Sequence, residues 1–373
     1  MTEERRAWAY LSRVVEPPCA ELSALAGRVG PMEAAERVRR GAVSAQLAQL
    51  TEARRDIDCA ADDLDRVARL GGRLLTPDDG EWPVLAFTSF NGVDVRRQPH
   101  GVAPLALWLL GGAPIDEVAW RAVAVVGTRA ATDYGEYVAA DLSEGLAKRG
   151  FAVVSGAAYG IDGAAHRAAL SADGCTVAVL AGGVDVPYPA GHSALLHRIQ
   201  RTGLVVSEYP PGVRPARYRF LVRNRLVAAL SGASVVVEAG LRSGAANTAA
   251  WARGLGRVVC AVPGPVTSSA SAGCHVLIRQ GAELVTRVEE IVEIVGRAGE
   301  FADEPEHPSS PLDGLTDIGK RVYEALPARG VRSSDELSVE SGLPVAQLQG
   351  QLARLELAGL AVQRDGRWRL AKS

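Results

Sequence analysis

The chain has 373 residues, of which 47% are hydrophobic and 23% charged, and these values are ordinary for a soluble globular protein. Its length is too great for one small core and favours two or three domains. A formal net charge of −2 excludes a global basic field, so any nucleic-acid site must be a local patch.

The five cysteines are scattered and form no CxxC pair, which predicts reduced thiols in a cytoplasmic protein. The first ten residues, MTEERRAWAY, lack the apolar core of a signal peptide. No apolar run approaches the roughly 18 residues of a membrane span. We therefore expect a cytoplasmic location and no membrane partner, and we expect neither a metal ion nor a cofactor.

Residues 1–70 predict a small helical domain, SAM-like or helix-hairpin-helix-like. Pro17–Pro18 ends the first helical segment, and Gly30 separates the next segment from a helix that starts at Pro31. The turn at 25–31 resembles a helix-hairpin-helix, whose backbone amides can hold a phosphate. A plain connection between two helices is the alternative that we favour.

Residues 71–297 predict an α/β domain with a doubly wound, Rossmann-like parallel sheet. Short apolar runs, each followed by a helical pattern, are typical of parallel strands covered on both faces. Two further strands, Arg73–Thr76 and Leu105–Leu109, are expected to extend this sheet. The expected parallel strands are Val123–Val126, Ala152–Val154, Thr176–Leu180, Leu204–Ser207, Ser234–Val237 and Val258–Val262.

The last part of the chain predicts an acidic, proline-rich linker at 298–313 and a winged-helix domain at 314–373. Three helical segments precede a hairpin that turns at Asp365–Gly366. Arg354 is the only cation of the third helix, which is poor for reading a major groove. A protein-contact role for this module is at least as well supported as DNA binding.

Polar clusters follow several of the expected strands, at the sheet edge where ligands bind in such folds. Gly127-Thr128-Arg129 suits a phosphate clamp or a tight turn with a surface arginine. In the loop 155–163, Asp162 is expected to cap the helix that carries His166, and acid–base chemistry by this pair is the alternative. Asp185 fits an Asx-type turn or a ligand, and Ser243 fits an N-cap beside an anion seat.

The segment 209–230 contains five arginines and no acidic residue, with Tyr218 and Phe220 between the arginines. Its prolines predict a loop or extended chain up to about Arg223 and a helix from there onward. Arginines that meet phosphates, beside rings that stack on bases, are the features that a single nucleic-acid strand requires. A solvated basic loop is the alternative.

These segments resemble the family of DNA-processing protein A (DprA, also called Smf), and they occur in the family's order. The resembling segments are VVGTR at 125–129, SGAAYGIDGAAH at 155–166, GGVDVPYP at 182–189, SEYPPG at 207–212, RFLVRNRLVAALS at 219–231, VVEAGLRSGAANTA at 236–249, VPG at 262–264 and AGCHVLIRQGA at 272–282.

The resemblance implies a cytoplasmic protein that binds single-stranded DNA and is not an enzyme. Such proteins protect incoming strands during natural transformation and recombination, and help to load a RecA-type recombinase. The resemblance further implies a homodimer formed through the Rossmann domain, and it leaves room for a contact with single-strand-binding protein.

By motif match, the resemblance also places the DNA-binding residues. Arg129 matches the arginine of the family's Gly-Ser-Arg turn, and Arg217 matches a basic residue three positions before the aromatic Phe220. The other residues on family motif positions are Gly127, Thr128, Arg223, Asn224, Arg225, Ser243 and Gly244. Two positions depart from the family pattern: Leu221 replaces a proline, and His275 replaces an asparagine.

Two other classes of function remain open from the sequence. A nucleotide hydrolase of the lysine-decarboxylase-like group would share a Rossmann-like fold, but the chain lacks that group's P-G-G-x-G-T loop and has Glu238 only at a distance from Gly182–Gly183. A transcription factor that uses the winged helix is less well supported, because the third helix carries so few cations.

Overall fold

The computed structural model describes residues 2–296 and 315–371, and the chain divides into two compact units between residues 302 and 303. The first unit is an α/β structure with a large, mostly parallel sheet, as predicted, and the second is a winged helix. The predicted linker at 298–313 lies outside the described residues.

The chain opens with the predicted short helices. Their bounds are α1 Glu3–Val14, α2 Ala20–Val29, α3 Pro31–Arg39, α4 Ala45–Thr51 and α5 Ala60–Arg69. Thr2 caps α1 by accepting a hydrogen bond from the Arg5 amide, and Pro31 occupies the first turn of α3. Trp8 of α1 lies in the same hydrophobic core as Trp108 of the sheet. The N-terminal helices and the sheet therefore share one hydrophobic core, and the predicted domain boundary at residue 70 stays a prediction.

A nine-stranded sheet forms within the described residues, in the order β1-β2-β6-β5-β4-β3-β7-β8-β9. The first two strands are antiparallel to their neighbours, and the remaining neighbours run parallel. The bounds are β1 Gly72–Leu75, β2 Leu107–Leu110, β3 Ala122–Val126, β4 Ala152–Ser155, β5 Thr176–Val179, β6 Leu204–Ser207, β7 Ala233–Val236, β8 Val258–Ala261 and β9 Glu283–Leu284.

Helices cover both faces of this sheet, and the central strands are buried accordingly. These helices are α6 Val84–Phe87, α7 Ile115–Trp120, α8 Asp133–Lys148, α9 Ile161–Ser171, α10 Ser193–Thr202, α11 Arg217–Ala229, α12 Gly244–Gly254, α13 Ala272–Arg279 and α14 Val288–Val295. Alternate residues of a strand point to opposite faces. Val123 and Val125 therefore pack with α8, α9 and α14, while Ala124 and Val126 pack with α11 and α12.

The direction of winding reverses between β3 and β7. From β3 the chain proceeds through β4 and β5 to β6 on one side, and from β7 through β8 to β9 on the other. Crevices at the carboxyl ends of strands beside such a reversal are where ligands bind in open α/β sheets. The loops after Val126 and Val236 meet at this point.

The second unit is built as the sequence predicted, from three helices and a hairpin. Its elements are α15 Asp317–Ala325, β10 Arg332–Ser333, α16 Ser334–Ser341, α17 Val345–Leu357, β11 Ala361–Arg364 and β12 Arg367–Leu370. Ser333 and Glu336 form a reciprocal capping box at the start of α16. Leu337, Leu348, Leu352 and Trp368 are buried in its core.

Candidate nucleic-acid interface

The loop Gly127–Thr128–Arg129 is fixed at the carboxyl end of β3. The Thr128 amide donates a hydrogen bond to the Glu238 carbonyl at 2.8 Å, and the Thr128 carbonyl accepts one from Ile161 at 3.3 Å. A Cβ added at Gly127 would lie 2.4 Å from the Ile161 side chain, so only glycine fits there. This close packing leaves Arg129 exposed at the tip of the loop.

Glu238 anchors the chain that follows this loop. Its carboxylate accepts hydrogen bonds from the Thr132 amide at 2.9 Å and from the Thr132 hydroxyl at 2.6 Å. The Thr132 hydroxyl in turn accepts one from the Gly135 amide, which caps α8. Only 2% of Glu238 is exposed, so both carboxylate oxygens serve a structural contact.

The helix α11 begins at Arg217, six residues before the predicted start at Arg223. The prolines of the segment end at Pro215, and Ala216 is the extended residue before the helix. After Ala216 the segment contains neither proline nor glycine, and Val222 and Leu226 give it a buried helical spacing. The prediction of an extended chain as far as Arg223 was therefore wrong, because the prolines constrain only the residues next to them.

A cavity of about 720 Å³ lies between the carboxyl end of β3, α11 and the start of α12. We call it the switch-point cavity. It brings together every residue of the predicted site except Arg225. The predicted residues that line it are Gly127, Thr128, Arg129, Arg217, Phe220, Arg223, Asn224, Ser243 and Gly244. Arg129 and Arg217 are exposed there, and Phe220 is half-buried.

Two guanidinium groups and a second ring surround Phe220. The Arg129 guanidinium carbon lies 5.1 Å from the centre of the Phe220 ring, and that of Arg223 lies 5.9 Å from it. The Tyr188 ring is 5.3 Å away, at an interplanar angle of 48°. These distances are those of cation–π and aromatic contacts.

Arg223 forms a fixed positive charge at the base of the cavity. Only 5% of it is exposed, and its guanidinium donates hydrogen bonds to the carbonyls of Gly156, at 2.9 Å, and Val179. Burial lowers the pKa of Arg223 to about 10, although the nearby carboxylate of Asp162 opposes this. The side chain therefore remains charged at neutral pH.

Asp162 fixes the glycine-rich loop, whereas Gly160 occupies the N-cap position of α9. The Asp162 carboxylate accepts hydrogen bonds from the amides of Gly156 at 3.1 Å and Ala158 at 3.3 Å. The expectation that Asp162 caps α9 was wrong, because the carboxylate turns back to the loop before the helix. Burial raises the pKa of Asp162, and the charge of Arg223 opposes the rise.

Arg225 does not line the cavity, and the structure contradicts its predicted contact with DNA. Its side chain is fully buried and donates hydrogen bonds to both carboxylate oxygens of Glu208 at 2.6 Å. Burial raises the pKa of Glu208, and the charge of Arg225 opposes the rise. A buried charge requires a partner of opposite charge, and Glu208 is that partner for Arg225.

The N-terminus of α12 forms one wall of the cavity. The Ser243 hydroxyl accepts a hydrogen bond from the Ala246 amide at 3.2 Å, as the predicted N-cap requires. Asn224 of α11 donates hydrogen bonds to the Gly244 carbonyl at 3.2 Å and to the Asn247 side chain at 3.1 Å. The first amides of a helix lack intrahelical acceptors and favour anions.

His166 and Asp185 have structural partners. The Thr176 hydroxyl donates to the Val153 carbonyl at 2.6 Å, so it accepts from His166 Nδ1 at 2.7 Å. Burial lowers the pKa of His166 to about 3, which keeps the ring neutral. The Asp185 carboxylate accepts a hydrogen bond from the Gly212 amide at 2.8 Å and lies 3.1 Å from Arg66.

Sequence reasoning missed two contributors to this region. Tyr188 lines the cavity, and its position in a strand-end loop after β5 was a usable signal. Glu16, at the end of the first helical segment, accepts hydrogen bonds from Arg219 at 2.6 Å and from Tyr218 at 3.0 Å. Its sequence neighbours give no signal for that contact. His275, the departure from the family asparagine, lies 3.0 Å from the Gly264 carbonyl through Nε2.

No cluster of three or more His, Cys, Asp or Glu residues within 2–296 and 315–371 is arranged to hold a metal ion. Over the same residues, no helix combines the length and apolar character needed to cross a membrane. The five cysteines are all free thiols.

Two family models match the chain. Residues 73–296 match the model described as DNA recombination-mediator protein A, and residues 305–367 match the DprA winged helix domain. The chain is 68% identical over 368 residues to a putative DNA processing protein DprA of Mycobacterium tuberculosis, with 99% of this chain and 95% of the relative covered. It is 41% identical over 240 residues to protein Smf of Escherichia coli, with 64% of each chain covered.

Solved structures show the same likeness. DNA processing protein A of Streptococcus pneumoniae superposes with a TM-score of 0.64 at 29% identity, covering 78% of this chain and 97% of that one. The protein of the same name from Helicobacter pylori gives a TM-score of 0.51 at 26% identity, covering 60% of this chain and 94% of that one. That structure is described for its unique single-stranded DNA binding mode. The chain belongs to the DNA processing protein A (DprA/Smf) family.

Proposed function

We propose that this protein binds single-stranded DNA in the switch-point cavity. One observation carries the proposal: exposed Arg129 and Arg217 line the same cavity as the half-buried ring of Phe220 and the start of α12. Cations next to a ring and a helix N-terminus suit a chain of phosphates and unpaired bases. The description of the Helicobacter pylori relative as a single-stranded-DNA-binding protein supports this assignment.

In the proposed complex, Arg129 and Arg217 bind phosphates and Phe220 stacks on a base. Arg223 adds positive potential from the base of the cavity, because its pKa of about 10 keeps it charged. The amides at the start of α12 offer a further seat for a phosphate. Binding depends on charge and stacking, without a chemical step.

The binding proposal is tested with fluorescence anisotropy of a labelled oligothymidylate at low salt. We expect Arg129→Glu and Arg217→Glu each to weaken binding by at least about 30-fold, because each replaces a phosphate contact with a repulsive charge. Phe220→Ala should weaken it by about 5- to 150-fold, the effect of one lost base stack.

The matched control is Arg201→Glu, which makes the same charge change at an exposed arginine of α10 outside the cavity. Affinity should fall far less in this variant than in Arg217→Glu. Equal losses would show that binding follows net charge alone and would contradict the proposed site. Thermal unfolding of each variant checks that it is folded.

We further propose that the protein protects incoming single strands and helps to load a RecA-type recombinase in transformation and recombination. Membership of the family supports this assignment, as does the description of residues 73–296 as a recombination mediator. A cytoplasmic location, a homodimer and a contact with single-strand-binding protein belong to the same proposal. Strand exchange by a recombinase on DNA coated with single-strand-binding protein should be stimulated by the parent protein and not by Arg217→Glu.

The alternative of a nucleotide hydrolase gains no support from Glu238. Both oxygens of that carboxylate bond to Thr132 and fix the start of α8. Nucleotide turnover by the purified protein, lost in Glu238→Gln while the fold is retained, would revive the alternative.

A further inference from the structure

The aromatic surface of the switch-point cavity is shared by two rings that differ in exposure. Tyr188 lines the cavity and is 43% exposed. Phe220 is half-buried, and the guanidinium groups of Arg129 and Arg223 lie over its ring. Tyr188 therefore presents the more open aromatic surface to a ligand.

We propose that Tyr188 is a second base-stacking residue of this site and favours single strands over duplexes. The inference rests on the proposed function, since it assumes that nucleic acid occupies the cavity. Any base can stack on a tyrosine ring, because every base has a π-face. The contact would therefore add affinity without sequence preference.

The loop that carries Tyr188 is held against the segment that leads into α11. The Gly183 amide donates a hydrogen bond to the Val213 carbonyl at 2.8 Å, and Asp185 accepts one from Gly212 at 2.8 Å. These contacts hold the backbone of the loop that carries Tyr188 against the backbone that leads to Phe220. Such preorganisation reduces the entropy lost on binding.

The angle between the rings determines what they can hold. Their centres are 5.3 Å apart and their planes are inclined by 48°, so a single flat base cannot lie parallel to both. Each ring can instead take its own base if two bases of the strand are splayed apart. Stacked and paired bases of a duplex cannot separate in this way without an unstacking cost of a few kcal/mol. The two rings thus select against double strands.

Anisotropy with a labelled oligothymidylate and the full-length protein tests the inference. Tyr188→Ala and Tyr188→Leu should weaken binding by about 5- to 150-fold, whereas Tyr188→Phe, which keeps the ring, should stay within about threefold of the parent. Because Tyr188→Leu retains an apolar side chain, a loss of affinity in this variant reports the missing π-face. The control Tyr137→Ala removes a ring that is 71% exposed on α8, outside the cavity lining, and should leave affinity unchanged.

An abasic oligonucleotide, which offers phosphates without bases, separates stacking from a merely structural role. Tyr188→Leu should bind this probe as well as the parent does. Equal losses on both probes, or no loss on oligothymidylate, would overturn the role of Tyr188. If oligothymidylate binding still depends on Arg217, the proposed function survives that result. If the parent protein does not bind oligothymidylate at all, both proposals fail.

Discussion

The five arginines of the segment 209–230 lie in very different surroundings. Arg214 and Arg217 are exposed, Arg219 is half-buried against Glu16, and Arg223 and Arg225 are buried. A guanidinium group is costly to bury unless carbonyl or carboxylate oxygens surround it. The exposed arginines of this segment can therefore contact a ligand, whereas the buried ones hold the loops together.

The buried pair of Arg225 and Glu208 should stabilise the fold without contacting DNA. Glu208→Ala leaves an unpaired buried charge, so we expect a loss of about 3–5 kcal/mol in the free energy of unfolding, measured in urea. The double variant Glu208→Leu/Arg225→Met, which replaces both charges with apolar groups, should recover most of that loss. If Arg225→Met kept its stability but lost DNA affinity, the structural role of Arg225 would be contradicted.

His166 should make the fold sensitive to acid. Its pKa of about 3 lies below the ordinary value of 6.5, so the unfolded chain binds a proton that the folded chain does not. The stabilisation is complete above pH 6.5 and is lost as the pH falls toward 3, by up to about 1.4 kcal/mol per pH unit. Unfolding free energies of the parent and of His166→Gln between these limits should show a shallower pH slope for the variant; identical slopes would rule His166 out as the cause.

The residues of the site differ in how far the sequence could predict them. The positions of Gly127, Arg129 and Ser243 follow from strand ends and caps, which are local patterns, and the structure places them at one edge. Arg225 is buried because it pairs with Glu208 in another loop, and local sequence patterns carry no information about that pairing. For Tyr188 the strand-end loop after β5 was a local signal, but its contact with the Phe220 ring cannot be read from the sequence.

At the scale of elements, the first turn of α11 depends on the N-terminal helices. Glu16 accepts hydrogen bonds from Arg219, Tyr218 and Arg54. Burial disfavours ionisation of Glu16, but the hydrogen bonds from Arg219 and Arg54 outweigh it and hold its pKa below the ordinary value. The helix that carries Arg217 and Phe220 is therefore tied at its start to the chain after α1.

Removing this tie should destabilise the protein. Glu16→Ala deprives two arginines of a common partner, and we expect a loss of about 1.5–3 kcal/mol in the free energy of unfolding, the usual value for a hydrogen bond to a charged group. Glu33→Ala is the control, because Glu33 pairs with Arg37 at 2.7 Å on an exposed helix face. Such surface pairs contribute about 0–1 kcal/mol. Equal effects in urea denaturation would show that the Glu16 contact is no more than a surface pair.

The elements themselves were largely predictable, and the exceptions have local causes. Apolar runs between glycine-rich turns predicted β3 to β8, because strands buried on both faces have no polar alternation. The two-residue strand β9 is exposed and lacks that pattern. The start of α11 was misplaced because the prolines before it predicted an extended chain, and its buried apolar spacing is visible only from Val222 onward.

At the scale of the molecule, a nearly neutral chain places three arginines in one cavity at the edge of its sheet. The reversal between β3 and β7 brings together loops that are far apart in sequence, and Arg129 and Arg217 meet there. The order of strands cannot be read from composition or periodicity, because it depends on contacts between segments that are far apart in sequence. Whether the winged helix contacts protein or DNA stays a prediction, since Arg354 remains the only cation of α17.

The central claim is that a local cationic and aromatic cavity binds an unpaired strand, and a salt series tests it most directly. With Arg223 and Arg225 buried, Arg129 and Arg217 remain as phosphate contacts, which predicts a slope of log affinity against log salt of about −1.4, at about 0.7 per phosphate. Binding of an oligothymidylate should then fall by about 7-fold between about 50 and 200 mM salt, and a duplex of equal length should bind more weakly throughout. A slope near zero, or a duplex bound as tightly as the single strand, would contradict the account.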